Sequence, residues 1–239
     1  MVDALFGTPR LARIYDALDA DRSDLEHYAA MVTEFGARRV LDVGCGTGEL
    51  ACLLARNGVD VVGVDPAEAS LEVARGKEYA DRVRWIHGDA TTLPPLQVDL
   101  AVMTGNVAQV FLTDDEWSAT VDGVRAALKP GGRFVFETRD PARRAWEEWT
   151  REHTHQVAAT AEGRVESWCD LLGVELPYVS FRGTYVFSDG EVLTSDSTLW
   201  FRERDKVAES LTSAGFTVDD VREAPDRPGK EFVFVATKR

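Results

Sequence analysis

The chain has 239 residues and carries 41 Asp and Glu against 27 Lys and Arg, a formal charge of -14 with its four His neutral. At 44% hydrophobic and 28% charged residues it has a globular composition, and a chain of this length buries roughly 70 to 75% of its unfolded surface without help from disulfides or a structural metal. A sequence pI near 4.7 offers no basic footprint for nucleic-acid phosphates, and no apolar run approaches the about 18 residues of a membrane span.

Cys45, Cys52 and Cys169 form neither an even framework nor a zinc-type pair, and the N-terminus has no cationic or apolar signal region. The expectation is a cytoplasmic protein with no nucleic-acid or membrane partner and no metal.

Ser23 and Glu26 spell a capping box for a helix over 23–36, with Leu25, Tyr28, Ala29, Val32 and Phe35 on one face. The run Arg39-Val-Leu-Asp-Val-Gly-Cys-Gly-Thr-Gly48 is an apolar strand entering glycines, followed by a helix through Leu50, Leu53 and Leu54 that closes at Gly58. A strand over 60–65 leads to a helix with Pro66 in its first turn. Strands over 83–87 and 98–103 come next, then a helix opened by Thr113 and Glu116 with Trp117, Val121, Val124 and Leu128 inward, the turn Lys129-Pro-Gly-Gly132, and a fifth strand over 134–136. Strands without amphipathic alternation, interleaved with helices, predict a parallel sheet covered on both faces.

The pattern changes after Trp149. Alternating segments over roughly 154–161, 164–171, 178–187 and 192–201, punctuated by Glu162-Gly163 and Asp189-Gly190, predict an antiparallel insertion. A helix over 205–214 and strands over 216–221 and 232–235 resume the core pattern. The fold class is therefore α/β: a doubly wound, Rossmann-like sheet in one domain over 1–239, with an inserted antiparallel β subdomain over 150–202 after the fifth strand.

Gly44, Gly46 and Gly48 lie at a strand-to-helix junction, where the backbone closely approaches a ligand and helix N–H groups are unpaired. Dinucleotide binding requires G-x-G-x-x-G, but the third glycine position is Glu49, an unfavourable neighbour for pyrophosphate. A ligand with an adenosine and no phosphate fits better. Asp65, ending the second strand, is placed to accept both ribose hydroxyls, and Asp89 to accept from an exocyclic amine; a helix cap and a solvated turn are their respective alternatives. Cys45 and Cys52 read as packed side chains.

Val40-Leu-Asp-Val-Gly-Cys-Gly-Thr-Gly48, Val62-Gly-Val-Asp65, Gly88-Asp-Ala90 and Leu128-Lys-Pro-Gly-Gly132, in that order, resemble the motifs of class I S-adenosylmethionine-dependent methyltransferases over about residues 35–140. The resemblance implies a seven-stranded sheet with an antiparallel last strand and in-line methyl transfer from S-adenosyl-L-methionine, leaving S-adenosyl-L-homocysteine. It also implies a donor site drawn from Asp42, Gly44, Cys45, Gly46, Gly48, Asp65, Pro66, Asp89 and Ala90, with Thr104, Gly105 and Asn106 on the methyl side. Arg13-Ile-Tyr15-Asp16 resembles the segment that folds over the donor in many small-molecule members, which makes Tyr15 a candidate contact; an apolar tether through Leu11, Ile14 and Leu18 is the alternative.

Asn106 and Gln109 are polar within an apolar run and belong at the donor or acceptor pocket, where α/β ligands bind. For a general base the candidates are His153 and His155, two apart and so on one strand face, and His27 on the first helix; His87 reads as a core residue. Trp168, Tyr178, Phe181, Tyr185, Phe187 and Trp200 read as the packing face of the insertion, with an aromatic cage as the alternative; the insertion is expected to roof the acceptor or make a dimer contact, in a monomer or homodimer. Residues 151–200 hold three basic and eight acidic side chains, which favours a neutral or cationic small-molecule acceptor, such as an amine, methylated at N or O. A secondary metabolite is one such acceptor. The competing readings are a macromolecular, especially protein, methyltransferase, a donor-binding protein without catalysis, and a nicotinamide oxidoreductase.

Overall fold

The computed structural model describes residues 2–239. Three one-turn helices, α1 (Ala4–Gly7), α2 (Pro9–Ala12) and α3 (Tyr15–Leu18), precede α4 (Asp24–Glu34). The alternation then runs β1 (Arg39–Val43), α5 (Glu49–Arg56), β2 (Asp60–Asp65), α6 (Glu68–Arg75), β3 (Val83–His87), β4 (Val98–Met103), α7 (Asp114–Ala127) and β5 (Leu128–Arg139). After α8 (Arg151–Thr154) come β6 (Gln156–Thr160), β7 (Gly163–Glu175), β8 (Tyr178–Phe187) and β9 (Val192–Trp200), and the chain ends with α9 (Arg204–Ser213), β10 (Phe216–Glu223) and β11 (Glu231–Lys238).

The main sheet has the order β10-β11-β5-β4-β1-β2-β3, parallel except for β11, which runs against both β5 and β10. The order reverses between β1 and β4, so the carboxyl ends of these strands open a crevice suited to ligand binding. The insertion is a separate antiparallel sheet, β6-β7-β8-β9. Its last hairpin turns at Asp189-Gly190, where Gly190 has φ +91°. Among the described residues no helix is long and apolar enough to cross a membrane.

Strand residues alternate between two cores, which is why the strands read as continuous apolar runs. Val40, Val61, Val102 and Val135 pack with Leu25, Tyr28, Leu50 and Leu54 on one face; Leu41, Val62, Met103, Phe134 and Phe136 pack with Trp117, Val121, Leu211 and Phe234 on the other. Phe136 stacks on Phe234 with ring centres 5.2 Å apart. Two smaller clusters fasten the insertion. Leu11 and Ile14 pack against Val165, Tyr185 and Phe187, while Trp146 packs against Val179, Leu199 and Phe201.

Three local expectations are corrected. Ser23 has helical torsions and makes no side-chain cap; its own N–H instead donates to Asp21 Oδ1 at 3.1 Å, so the acidic residue two positions upstream takes the capping role. Pro66 lies ahead of α6 rather than in its first turn, because Asp65 Oδ1 accepts from the Ala67 N–H and delays the helix to Glu68. His87 is exposed, because β3 is the outermost strand and leaves its last side chain uncovered. The Thr113 and Glu116 capping box on α7 is present as expected.

Gly123 sits inside α7, where alanine ordinarily stabilises a helix. A Cβ there would stand 2.0 Å from the Ala90 carbonyl oxygen. Gly123→Ala is therefore expected to destabilise the chain by about 1–3 kcal/mol, the usual cost of overpacking, in a denaturant titration; a gain in stability would show that α7 can shift freely.

Candidate active site

Gly44, Gly46 and Gly48 have φ of +71°, +51° and +81°, so all three positions favour glycine, but each also faces a different neighbour. A Cβ on Gly44 would meet the Val107 methyls at 2.8 Å, and one on Gly48 would meet the Trp85 ring at 2.6 Å. Above Gly46 nothing lies within 4 Å. The outer glycines thus serve internal packing, and the middle one faces open space. Trp85, from the neighbouring strand, also covers Gly63, its cross-strand partner. Glu49, where a dinucleotide site has its third glycine, turns to Lys77.

Asp65 is buried, with Oδ2 accepting from the Gly46 N–H at 2.8 Å and Oδ1 from Ala67 at 2.7 Å. It thus closes a turn ahead of α6, whose N-cap is Ala67, while bracing the glycine loop, and each oxygen retains a lone pair. Burial raises its pKa, opposed by the two backbone bonds. Asp42, at the end of β1, is 1% exposed, and its Oδ1 has no hydrogen-bond partner. Burial and then the Asp65 charge push its pKa up to about 7, with Arg22 the opposing cation. The buried Cys45 thiol is pushed well up, chiefly by burial, which keeps it neutral and inert.

Asp89 is exposed and folds back into a turn, its Oδ1 accepting from the Thr91 N–H at 2.8 Å and hydroxyl at 2.6 Å; Ala90 beside it is buried under α7. Beyond β4, Thr104 is half-buried and Gly105 exposed. Asn106 and Gln109 are buried among protein partners. Asn106 Nδ2 donates to Glu231 Oε1 at 3.0 Å, and Gln109 Oε1 accepts from Arg139 Nη1 at 3.0 Å. Gln109 thus ties β5 to the loop after β4, and only Asn106 Oδ1 is left without a partner.

The N-terminal segment crosses this edge. Asp16 accepts from the Thr47 hydroxyl at 2.5 Å and pairs with Lys77 at 2.6 Å. Tyr15 is half-buried, its ring 5.5 Å from Phe6, and burial pushes its hydroxyl up to about 12 with help from the Asp19 charge. Tyr15 borders a cavity of about 240 Å³ between the N-terminal segment and the inserted sheet, walled by Leu5, Leu18, Trp168, Phe181 and Tyr185, with the exposed Asp19 as its charged lining residue. A larger open groove of about 680 Å³ lies along α9 and β10, at the sheet edge away from β1 and β2.

The histidines do not converge on that cavity. His153 sits in α8, not on a strand, with Nδ1 2.9 Å from the Thr150 hydroxyl. His155 caps the same helix and pairs with Glu166 on the exposed side at 2.9 Å. The pair shares no strand face because the Thr150 hydroxyl accepts from the His153 N–H and starts a helical turn where alternation suggested a strand. His27 is half-buried on α4. None of the three lines the cavity.

Sequence reasoning missed Arg22, Glu137, Arg139 and Glu231. Glu137 and Glu231 are each 3% exposed at the carboxyl edge of β5 and the start of β11. The sequence signal was available for Glu137: a carboxylate directly after the apolar Phe134-Val-Phe136 strand requires buried partners.

Residues 40–132 match the family model described as a methyltransferase domain. A Geobacillus sp. (strain WCH70) protein named as a methyltransferase is 29% identical over 218 residues, covering 85% of both chains. The cypemycin N-terminal methyltransferase of a Streptomyces species is 35% identical over 106 residues, and the chain spans only 43% of its length. CalS10, an amino pentose methyltransferase from Micromonospora echinaspora, superposes with a TM-score of 0.73 at 22% identity, over 95% of this chain and 97% of that one. KedS8, a sugar N-methyltransferase from Streptoalloteichus sp., gives 0.76 at 20% identity over 94% and 92%. With the glycine loop and the strand order, these matches identify residues 40–132 as a methyltransferase domain and the fold as that of the S-adenosylmethionine-dependent methyltransferases.

The residues present fit that donor. An orphaned carboxylate oxygen on Asp42, at the end of the strand that leads into the glycine loop, suits a cationic ammonium, and the open space over Gly46 leaves room for a ligand. The fit depends on the N-terminal segment staying in place. Lys77→Ala removes the cation shared by Asp16 and Glu49; the expected result is a loss of about 1 kcal/mol of stability and faster amide exchange over residues 4–18. Unchanged exchange there would show that packing alone holds the segment.

Proposed function

We propose that the chain methylates an amine of a small molecule, with the donor on the glycine-loop side of Tyr15 and the acceptor in the cavity on its other side. The observation that carries this reading is the pairing of the unpartnered Asp42 carboxylate with a compact cavity bordered by Tyr15. Asp42 takes the donor's ammonium and Arg22, the cation beside it, the donor's carboxylate. Asp65 accepts the ribose hydroxyls on its spare lone pairs, and Asp89 with Ala90 borders the adenine. Pro66 and the backbone of Cys45 line the same path, while Thr104, Asn106 and Gln109 shape the methyl side.

When bound, S-adenosylmethionine supplies an activated methyl group on a sulfonium. The protein's part is to exclude water and hold the attacking lone pair in line, which by itself supplies several kcal/mol. Tyr15, neutral at physiological pH, separates the two halves without adding charge. An amine that arrives deprotonated needs no base, which agrees with a cavity that no histidine lines. Asp19 at the rim and the acidic insertion favour cationic solutes, and the names of the amino pentose, sugar N- and N-terminal methyltransferases among the similar proteins support nitrogen over oxygen. At about 240 Å³ the cavity lies just below the usual range of small-molecule sites, about 300–1,000 Å³, which favours a small acceptor over a protein. The inserted sheet serves as its roof.

Incubation with S-adenosylmethionine and matched panels of primary amines and alcohols should yield S-adenosylhomocysteine with amines; turnover of alcohols alone overturns the nitrogen assignment. S-adenosylhomocysteine should raise the melting temperature, and NAD should not.

The raised pKa of Asp42 sets a pH dependence. The donor-free chain keeps a proton on Asp42 below about 7, whereas binding an ammonium requires the carboxylate, so binding releases that proton. Affinity for S-adenosylhomocysteine is therefore expected to rise about tenfold per unit from pH 5.5 toward 7 and to level off above it. Calorimetry on Asp42→Asn should give a flat profile; a flat wild-type profile removes Asp42 from the ammonium role.

A further inference from the structure

Directly after β4, two successive residues, Gly105 and Asn106, have φ of +69° and +59°. Successive N–H groups in a turn of this kind converge into a concavity that binds anions. Here the anion is internal. Glu137 Oε1 accepts from the Gly105 N–H at 2.7 Å and from the Asn106 N–H at 3.2 Å, while Oε2 accepts from the Tyr28 hydroxyl. Glu137 stands on β5 next to β4, one residue beyond the Met103 and Phe136 pair, so the strand ladder itself delivers the carboxylate to the turn. On the far side, Asn106 Nδ2 donates to Glu231 Oε1, which Arg227 Nη1 holds at 2.8 Å.

We propose that Glu137 is a positioning residue for methyl transfer: a built-in anion that holds the Gly105-Asn106 turn in the shape that faces the donor. The proposal rests on the reading that this turn lines the donor site. An apolar residue would satisfy the packing of β5 at this depth, since its neighbours in the strand are Phe136 and Val135 and burying a carboxylate is costly. What an apolar residue cannot do is receive three donors, two of them the backbone N–H groups of a left-handed Gly-Asn pair, the residue types that most readily adopt that conformation. Burial and the nearby Glu231 charge raise the Glu137 pKa, while the Tyr28 hydroxyl, Arg227 and the Gly105 N–H oppose that shift.

Glu137→Ala and Glu137→Gln separate this role from a merely structural one. Alanine removes the acceptor; glutamine keeps Oε1 for the two N–H groups and presents its amide to the Tyr28 oxygen. Three quantities are measured for each: S-adenosylhomocysteine affinity by calorimetry, melting temperature, and amide exchange at Gly105 and Asn106. E137A should bind S-adenosylhomocysteine about tenfold or more weakly, with faster exchange at both amides, and E137Q should recover most of both. If E137A does not fold, Glu137→Asp, whose carboxylate is withdrawn by one methylene, takes its place with the same expected loss. The proposal is overturned if the acceptor-deficient variant binds as the wild type does, or if it and E137Q lose affinity equally with exchange unchanged. A wild-type chain that binds no S-adenosylhomocysteine would instead overturn the donor reading.

Discussion

Asp16 joins three parts of the chain that are distant in sequence. Its carboxylate accepts from Thr47 in the glycine loop and pairs with Lys77, which in turn holds Glu49 at the start of α5. Upstream, Arg10 binds Glu162, Asp189 and Glu191 on two turns of the inserted sheet and stacks over Phe187 at 3.9 Å. One-turn helices such as α1 to α3 have no stability of their own in water. They persist because one end is tied to the core and the other to the insertion, and the cavity beside Tyr15 exists only while both ties hold.

A second constraint runs through the same edge of the sheet. Asp42, Asp65, Glu137 and Glu231 are all buried there, a concentration of negative charge that would be prohibitive if left uncompensated. Protein groups engage three of them: Asp65 by two backbone N–H groups, Glu137 by two more and a tyrosine, and Glu231, through Oε1, by Arg227 and Asn106. Asp42 Oδ1 and Glu231 Oε2 are buried without a hydrogen-bond partner. Glu231 pairs with Arg227 and Arg139, whereas among the described residues no cation lies within ion-pair distance of Asp42. Arg202 plays the corresponding role for the insertion, clamping the carbonyls of Ala108 and Phe111 while its guanidinium lies 3.8 Å from the Trp200 ring.

Much of this was legible from local chemistry. The Thr113 box, the Asp189-Gly190 turn and the uninterrupted apolar strands each depend on residues within a few positions of one another, and each is present in the structure. The misreadings share a cause. Ser23 lost the cap to Asp21, Pro66 was displaced by the Asp65 bond to Ala67, and the Thr150 hydroxyl drew His153 into a helical turn; in each case a neighbouring polar side chain competed for the same backbone group. His87 was misread for a different reason, since nothing in a strand's own sequence states that it lies at the sheet edge.

The sequence by itself determined the class of fold, the donor motifs in their order and the presence of an inserted antiparallel layer, because periodicity, turn chemistry and short motifs are written in contiguous residues. Only the tertiary structure decided which carboxylates are satisfied, which histidines stay on the surface, and that a segment near residue 15 meets a sheet near residue 185 to enclose a cavity. Those outcomes depend on which strands end at the same edge, and pairings between residues more than a hundred positions apart leave no periodic trace in the chain.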